Sequence, residues 1–148
     1  MTAVLQLGSW DELKHLALPL RMAVFVDEQK VPAEMELDEH DPVCVHAVLL
    51  DDDGTAIATG RLLPVGEHDA MCHIGRMAVR RDRRNVGLGG RVLDALVQAS
   101  RRRGDAGVRL HAQCSAQGFY AGRGFVAQGD RFDEAGIEHV GMVLVFRD

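Results

Sequence analysis

Cysteine is scarce, and its spacing suggests no pairing. Cys44, Cys72 and Cys114 are odd in number and form no CxxC pair, which argues against a disulfide framework and for reduced thiols in a reducing compartment. Cys44 with His46 and Cys72 with His73 lack the second paired motif of a zinc site, so no metal is expected. No apolar run approaches the roughly 20 residues that span a bilayer. The opening MTAVLQLGSWDEL also lacks a basic stretch leading into an apolar one, so neither membrane insertion nor export is expected and the cytoplasm is the expected location. Excess positive charge is missing too. A formal net charge of −5 argues against nucleic acid as a partner, because phosphate backbones need clustered Lys and Arg.

What remains is an ordinary globular composition. Hydrophobic residues make up 47% and charged residues 26% of 148 residues, which fits one domain spanning 1–148 with a sizeable core. Ala3 to Leu7 suits a first strand. Ser9 with Glu12 forms a capping box that starts a helix at Trp10. Pro19 is expected to break that helix and open a second short one, Leu20 to Val26. The stretch Asp27 to Asp41, with seven acidic residues against one lysine and with Pro32, reads as an ordered or half-ordered loop, most of it solvated. Val43 to Leu50 and Thr55 to Leu63 form a hairpin around Asp52-Asp53-Gly54. After a loop from Pro64 to Ala70, a strand over His73 to Val79 leads through Arg80 to Gly90 into a helix ending near Arg103, with Gly104 as its stop. A strand over Val108 to Cys114, a short helix over Ala116 to Arg123, and strands near Phe125 to Gly129 and His139 to Phe146 complete the order. The strand, helix, strand unit at the centre implies two parallel strands joined by a right-handed crossover, hence an α/β (α+β) fold.

Arg84-Asn85-Val86-Gly87-Leu88-Gly89-Gly90 lies between a strand and a helix. Glycines at 87 and 89 permit close backbone approach. The free amides of a helix start and the positive end of its dipole can hold a pyrophosphate. It is neither a Walker loop nor the GxGxxG dinucleotide pattern.

With Arg84, Gly87 and Gly89 in the form Q/R-x-x-G-x-G/A after a strand, the sequence resembles the Gcn5-related N-acetyltransferase (GNAT) family. The resemblance extends to Val24 to Gln29, Val31 to Glu34, Gly60-Arg61, Gly75 to Val79, Ala112-Gln113, Phe119-Tyr120, Gly124-Phe125 and Ala135 to Met142, blocks shared with the ElaA-like and YjcF-like branch. It implies a single mixed, mostly antiparallel sheet of about seven strands, splayed centrally, with about four helices. It also implies acetyl-CoA as cosubstrate, its pantetheine paired with the main chain of Met77, Ala78 and Val79 and its pyrophosphate held over Arg84, Asn85, Val86, Gly87, Leu88, Gly89 and Gly90.

Acetyl transfer to an amine needs a neutral nucleophile, oxyanion stabilisation and a proton for the departing thiolate. By the resemblance, Tyr120, the only tyrosine, is the general acid. His73 stands near the position of a base; strand alternation puts it on the face of Gly75 and Met77. Gly75 occupies a position where the branch sometimes carries Glu, which leaves His73 or a water chain to take the proton. Phe25, Glu28, Gln29, His40, His46 and Arg61 are the candidates for contact with the acceptor amine. A noncatalytic acyl-CoA-binding module remains the alternative, and a homodimer through the C-terminal strands remains open.

Overall fold

The computed structural model describes residues 3–66 and 69–147. Of the loop Pro64 to Ala70, residues 67 and 68 lie outside them. Strand β1 (Val4–Gly8) leads to helix α1 (Trp10–Arg21), where Ser9 and Glu12 close the expected capping box. Pro19 does not end this helix. It removes one donor, yet the chain continues: Met22 N–H bonds the carbonyls of Leu18 and Pro19, and the coil widens into a π-helical segment, Met22–Glu28. That segment stops at Lys30, which adopts the left-handed conformation usual for a glycine cap, with Val31 N–H closing back on Phe25 O at 2.8 Å.

The acidic stretch is ordered, but Glu36, Asp38 and Asp41 are paired with arginines where solvated carboxylates are expected. It holds the short helix α2 (Ala33–Glu36) and a 3-10 turn at Asp41–Val43, and its carboxylates meet arginines from elsewhere. Strands β2 (Val45–Leu50), β3 (Ala56–Leu62) and β4 (Met71–Val79) follow. Helix α3 (Leu88–Arg103) ends on left-handed Gly104. Strand β5 (Gly107–Gln113) and helix α4 (Gln117–Ala121) come next. The last hairpin, β6 (Val126–Glu134) and β7 (Ile137–Val145), turns at Ala135-Gly136, both at positive φ. β6 runs past Gly129, expected as its end, because that residue at φ 84° sits where the register shifts between Gln128 and Phe132.

Among the described residues the strands form one sheet in the order β1-β2-β3-β4-β5-β7-β6. Only β4 and β5 run parallel, and they pair over three positions, Met71↔Gly107 to His73↔Arg109. Beyond His73 the two strands part. The core lies between the sheet and α3, where Ala58, Leu62, Ile74, Val92, Leu93, Leu96, Val108 and Leu110 pack together. On the other face Trp10, Leu13 and Ala17 of α1 cover Val48.

Candidate functional site

The split between β4 and β5 opens into a cavity of about 1020 Å³. It is lined by both strands and the start of α3, by Phe25 and Gln29, by Tyr120, and by Glu134 and His139 from the last hairpin. Its geometry follows from two interruptions of regularity in β4. The first is the loss of pairing to β5 after His73, which leaves main-chain groups from Ile74 onward without a strand on that side. The second is a bulge: Arg61 pairs with Gly75 and Thr59 with Ala78, so Arg76 and Met77 share one position opposite Gly60. Arg76 takes φ 52° to make it.

This bulge corrects the alternation expected for β4. Cys72 and Ile74 belong to the α3-side core. After the bulge Met77 also faces α3, its sulfur so close to Gly60 that a Cβ there would lie 2.5 Å away. Met77 therefore lies on the face opposite His73 and Gly75. Met77, Ala78 and Val79 nevertheless line the cavity with Arg84, Asn85, Gly87, Leu88, Gly89 and Gly90. Val86 does not; it is 68% exposed.

At the open end of the split stands the start of α3. Gly87, at φ 84°, caps it without any side-chain hydrogen bond. The first amide to bond within the helix is that of Arg91, to Gly87 O at 3.3 Å. The amides of Leu88, Gly89 and Gly90 thus have no partner among the described residues, and they point where the helix dipole is positive. A Cβ at Gly90 would run into the guanidinium of Arg123, which brings a cation to the same turn. Arg84 is engaged otherwise: its Nε donates to Val79 O at 3.0 Å, and its two terminal nitrogens grip Glu28 at 2.6 and 2.7 Å. Glu28 is consumed by that pair and does not line the cavity. Gln29 does, bridging to Gln113 at 3.0 Å across the top of the split.

Tyr120 is nearly buried, its ring edge-on to Phe119 at 5.0 Å and to Phe125 at 5.9 Å. Its hydroxyl has no hydrogen-bond partner among the described residues, and burial pushes the phenol up to about 12. Such a group stays protonated at any physiological pH and can give its proton only to a stronger base, such as a thiolate leaving in an apolar site.

The face of the split away from α3 carries charge. Arg21, Arg61 and Arg76 interlock with Glu36, Asp38 and Asp41: Arg21 holds Asp41 at 2.9 Å and Arg61 holds Asp38 at 2.7 Å and Asp41 at 2.8 Å. Arg76 reaches Glu36 at 3.3 Å. The hydrogen bonds of Arg61 hold the Asp38 carboxyl well below its usual range. Burial raises Asp41, but Arg21 and Arg61 outweigh it and the net direction is down. Arg61 lines the cavity with both terminal nitrogens committed to carboxylates, and its buried Nε has no partner. His46 is removed from the cavity altogether: it is buried against Trp10 at 4.7 Å, with Nε2 2.9 Å from Asp41 O. Its burial beside Trp10 and the Arg21, Arg61 and Asp41 charges was not legible from one histidine in a strand.

His73 sits at the vertex. Partial desolvation first, then the charges of His111 and Arg109, lower its affinity for a proton. Around it stand residues that the sequence reading gave no role. His111 of β5 lies edge-on to His73 at 6.3 Å, and its Nδ1 is 3.1 Å from Glu134 of β6. His139 of β7 stacks on Phe132 at 5.9 Å and binds Ile137 O at 2.7 Å. Alternation carried the missed signal: with Val108, Leu110 and Ala112 turned to the core, Arg109, His111 and Gln113 must face the other way. No group of three or more potential metal ligands occurs among the described residues, and none of their helices is long and apolar enough to cross a membrane.

A parallel pair of strands splayed beside an uncapped helix start, on a mixed seven-stranded sheet, gives a cleft that could take an elongated ligand with an anionic end. Comparison with known proteins agrees with that geometry. The acetyltransferase (GNAT) domain matches residues 19–146, and the chain belongs to that family. The uncharacterized N-acetyltransferase YjcF of Bacillus subtilis is 35% identical over 134 residues, covering 90% of this chain and 92% of its own. An acyl-CoA N-acyltransferase from Pseudomonas aeruginosa superposes with a TM-score of 0.86 at 33% identity over 96% of this chain and 99% of that one. Escherichia coli ElaA superposes with a TM-score of 0.85 at 27% identity over the same shares.

Proposed function

We propose that this protein is an acetyl-CoA-dependent N-acetyltransferase that passes the acetyl group directly to an amine. The observation that carries the reading is the convergence of three things on one cavity: free main-chain groups of β4 beyond His73, unpaired amides at Leu88 to Gly90, and the partnerless hydroxyl of the nearly buried Tyr120. Each fits one part of the cosubstrate. Amide groups of a pantetheine arm would satisfy the open edge of β4 around Met77, Ala78 and Val79, as a neighbouring strand would. The pyrophosphate would meet the α3 amides and Arg123, and Arg84 if it exchanges Glu28 for phosphate.

When bound, acetyl-CoA supplies an activated acyl carbon and a thiolate leaving group. The protein's part is to hold it, to protonate the sulfur from Tyr120, and to relieve an incoming ammonium of its proton. The acceptor enters on the face of His73 and Gly75, where Phe25 and Gln29 line its approach. A Cβ at Gly75 would touch nothing within 4 Å. That open position, lacking a carboxylate, favours a second reading, a noncatalytic acyl-CoA-binding module. Thiol release from acetyl-CoA in the presence of a panel of primary amines separates the two: amine-dependent release supports the transferase, whereas binding of acetyl-CoA without release supports the module.

A further inference from the structure

We propose that His111, held by Glu134, is the base that deprotonates the acceptor amine; this rests on the transferase reading above. β4 and β5 last pair at His73↔Arg109. The first side chain past that point on β5 that faces away from the core is His111, and the facing position on β4 is Gly75, whose side-chain space is open. Both line the cavity. His111 is thus an ionisable group standing where the split begins, on the acceptor side, beside a gap wide enough for an incoming substrate.

Its hydrogen bonding suits a base. Glu134 accepts at 3.1 Å from Nδ1, which places the ring proton there and leaves the Nε2 lone pair free, the logic of any histidine oriented by a carboxylate. The same carboxylate stabilises the imidazolium once formed. His73 lacks this orientation: it is exposed, as His111 is, but no hydrogen bond fixes its ring among the described residues. The other groups facing His111 are His73 of β4, Arg109 of β5 with its partner Asp69 at 3.2 Å, and His139 of β7, whose Nε2 lies 3.6 Å from Glu134. Glu134 is therefore a positioning residue shared by two histidines, and its half-exposed carboxylate offers the proton a way to solvent.

The step balances. The ammonium gives one proton to Nε2 of His111, and the freed nitrogen pair forms the C–N bond at the acyl carbon. The C–S bond breaks, and the thiolate takes the Tyr120 proton. The phenolate recovers a proton from the acylated nitrogen, and His111 releases its own to water.

The test uses the full chain in two assays. In the free protein, ring-nitrogen NMR should find the neutral His111 ring protonated on Nδ1, and Glu134→Gln should redistribute that proton between the two ring nitrogens. With acetyl-CoA and the amine that turns over fastest, His111→Ala should lower kcat/KM by roughly 10² to 10⁴-fold, with acetyl-CoA affinity unchanged by calorimetry. Glu134→Gln should lower kcat with acetyl-CoA affinity unchanged, because the imidazolium loses its counter-charge; His73→Ala should cost less than His111→Ala. A His111→Ala enzyme within about tenfold of wild type, or a His111 ring tautomer indifferent to Glu134→Gln, overturns the assignment while leaving the transferase reading intact. A wild type that binds acetyl-CoA but acetylates no amine overturns the transferase reading itself, and the base with it.

Discussion

Removing one oxygen from Tyr120 separates chemistry from packing unusually well. The ring is held by Phe119 and Phe125 at 5.0 and 5.9 Å, contacts that phenylalanine keeps. The hydroxyl has no partner to lose within the described residues, so Tyr120→Phe strands no buried donor or acceptor. Taking away a hydroxyl that faces the cavity without a partner should change the stability by less than about 1 kcal/mol. Catalysis should respond on another scale. A positioned general acid contributes about 10² to 10⁴-fold, or roughly 2.7 to 5.4 kcal/mol of barrier at about 1.36 kcal/mol per tenfold. The assay is steady-state thiol release with saturating acetyl-CoA, run beside urea unfolding and acetyl-CoA calorimetry, after viscosity independence has shown that product release does not limit the rate. A fall in kcat with affinity and stability unmoved fits the acid role. Unaltered kcat refutes it and returns Tyr120 to the packing of the core, while a loss confined to acetyl-CoA affinity means that the hydroxyl only holds the cosubstrate.

Gly87→Val should weaken acetyl-CoA binding at least about tenfold in a folded protein: nothing crowds a Cβ there, but φ 84° is strained for a branched residue, so the α3 amides must shift; equal affinity by calorimetry contradicts the cradle. Asp38 and Asp41 carry folded values below the unfolded range of about 3.9, so their contribution to stability is present above that pH and is lost as pH falls through the folded values. The urea midpoint should therefore hold down to about pH 5 and decline below about pH 4, with Asp38→Asn flattening the decline; an equally steep fall in that variant contradicts the assignment. Cys114→Ala should retain turnover within about threefold, since direct transfer needs no thiol; abolished turnover would indicate an acyl-enzyme.

The fold was legible in the sequence wherever a local signal had a single physical meaning. Ser9 and Glu12 set the start of α1, Gly104 ended α3, and the strand-loop-helix around Arg84 to Gly90 located the uncapped helix start. The misreadings fall where tertiary contacts decide. Pro19 should stop a helix, but the following turns widen into a π-helical segment while Arg21, buried on Glu36 and Asp41, stays anchored. The acidic stretch looks solvated until the arginines that neutralise it arrive from α1, β3 and β4. Glu28, expected beside the acceptor amine, is held by Arg84 across 56 residues of sequence and does not line the cavity. The bulge at Arg76, which turns Met77 to the other face, leaves no mark in a strand of ordinary residues. His111 and Glu134 meet only because β5 and β6 flank β7.

The most direct measurement is product analysis with acetyl-CoA labelled in its acetyl group. The label is expected on the nitrogen of an amine acceptor, in amounts equal to the thiol released, with none on the protein when the amine is withheld. Label retained on the protein, or thiol release that no amine accelerates, would contradict direct transfer to an amine.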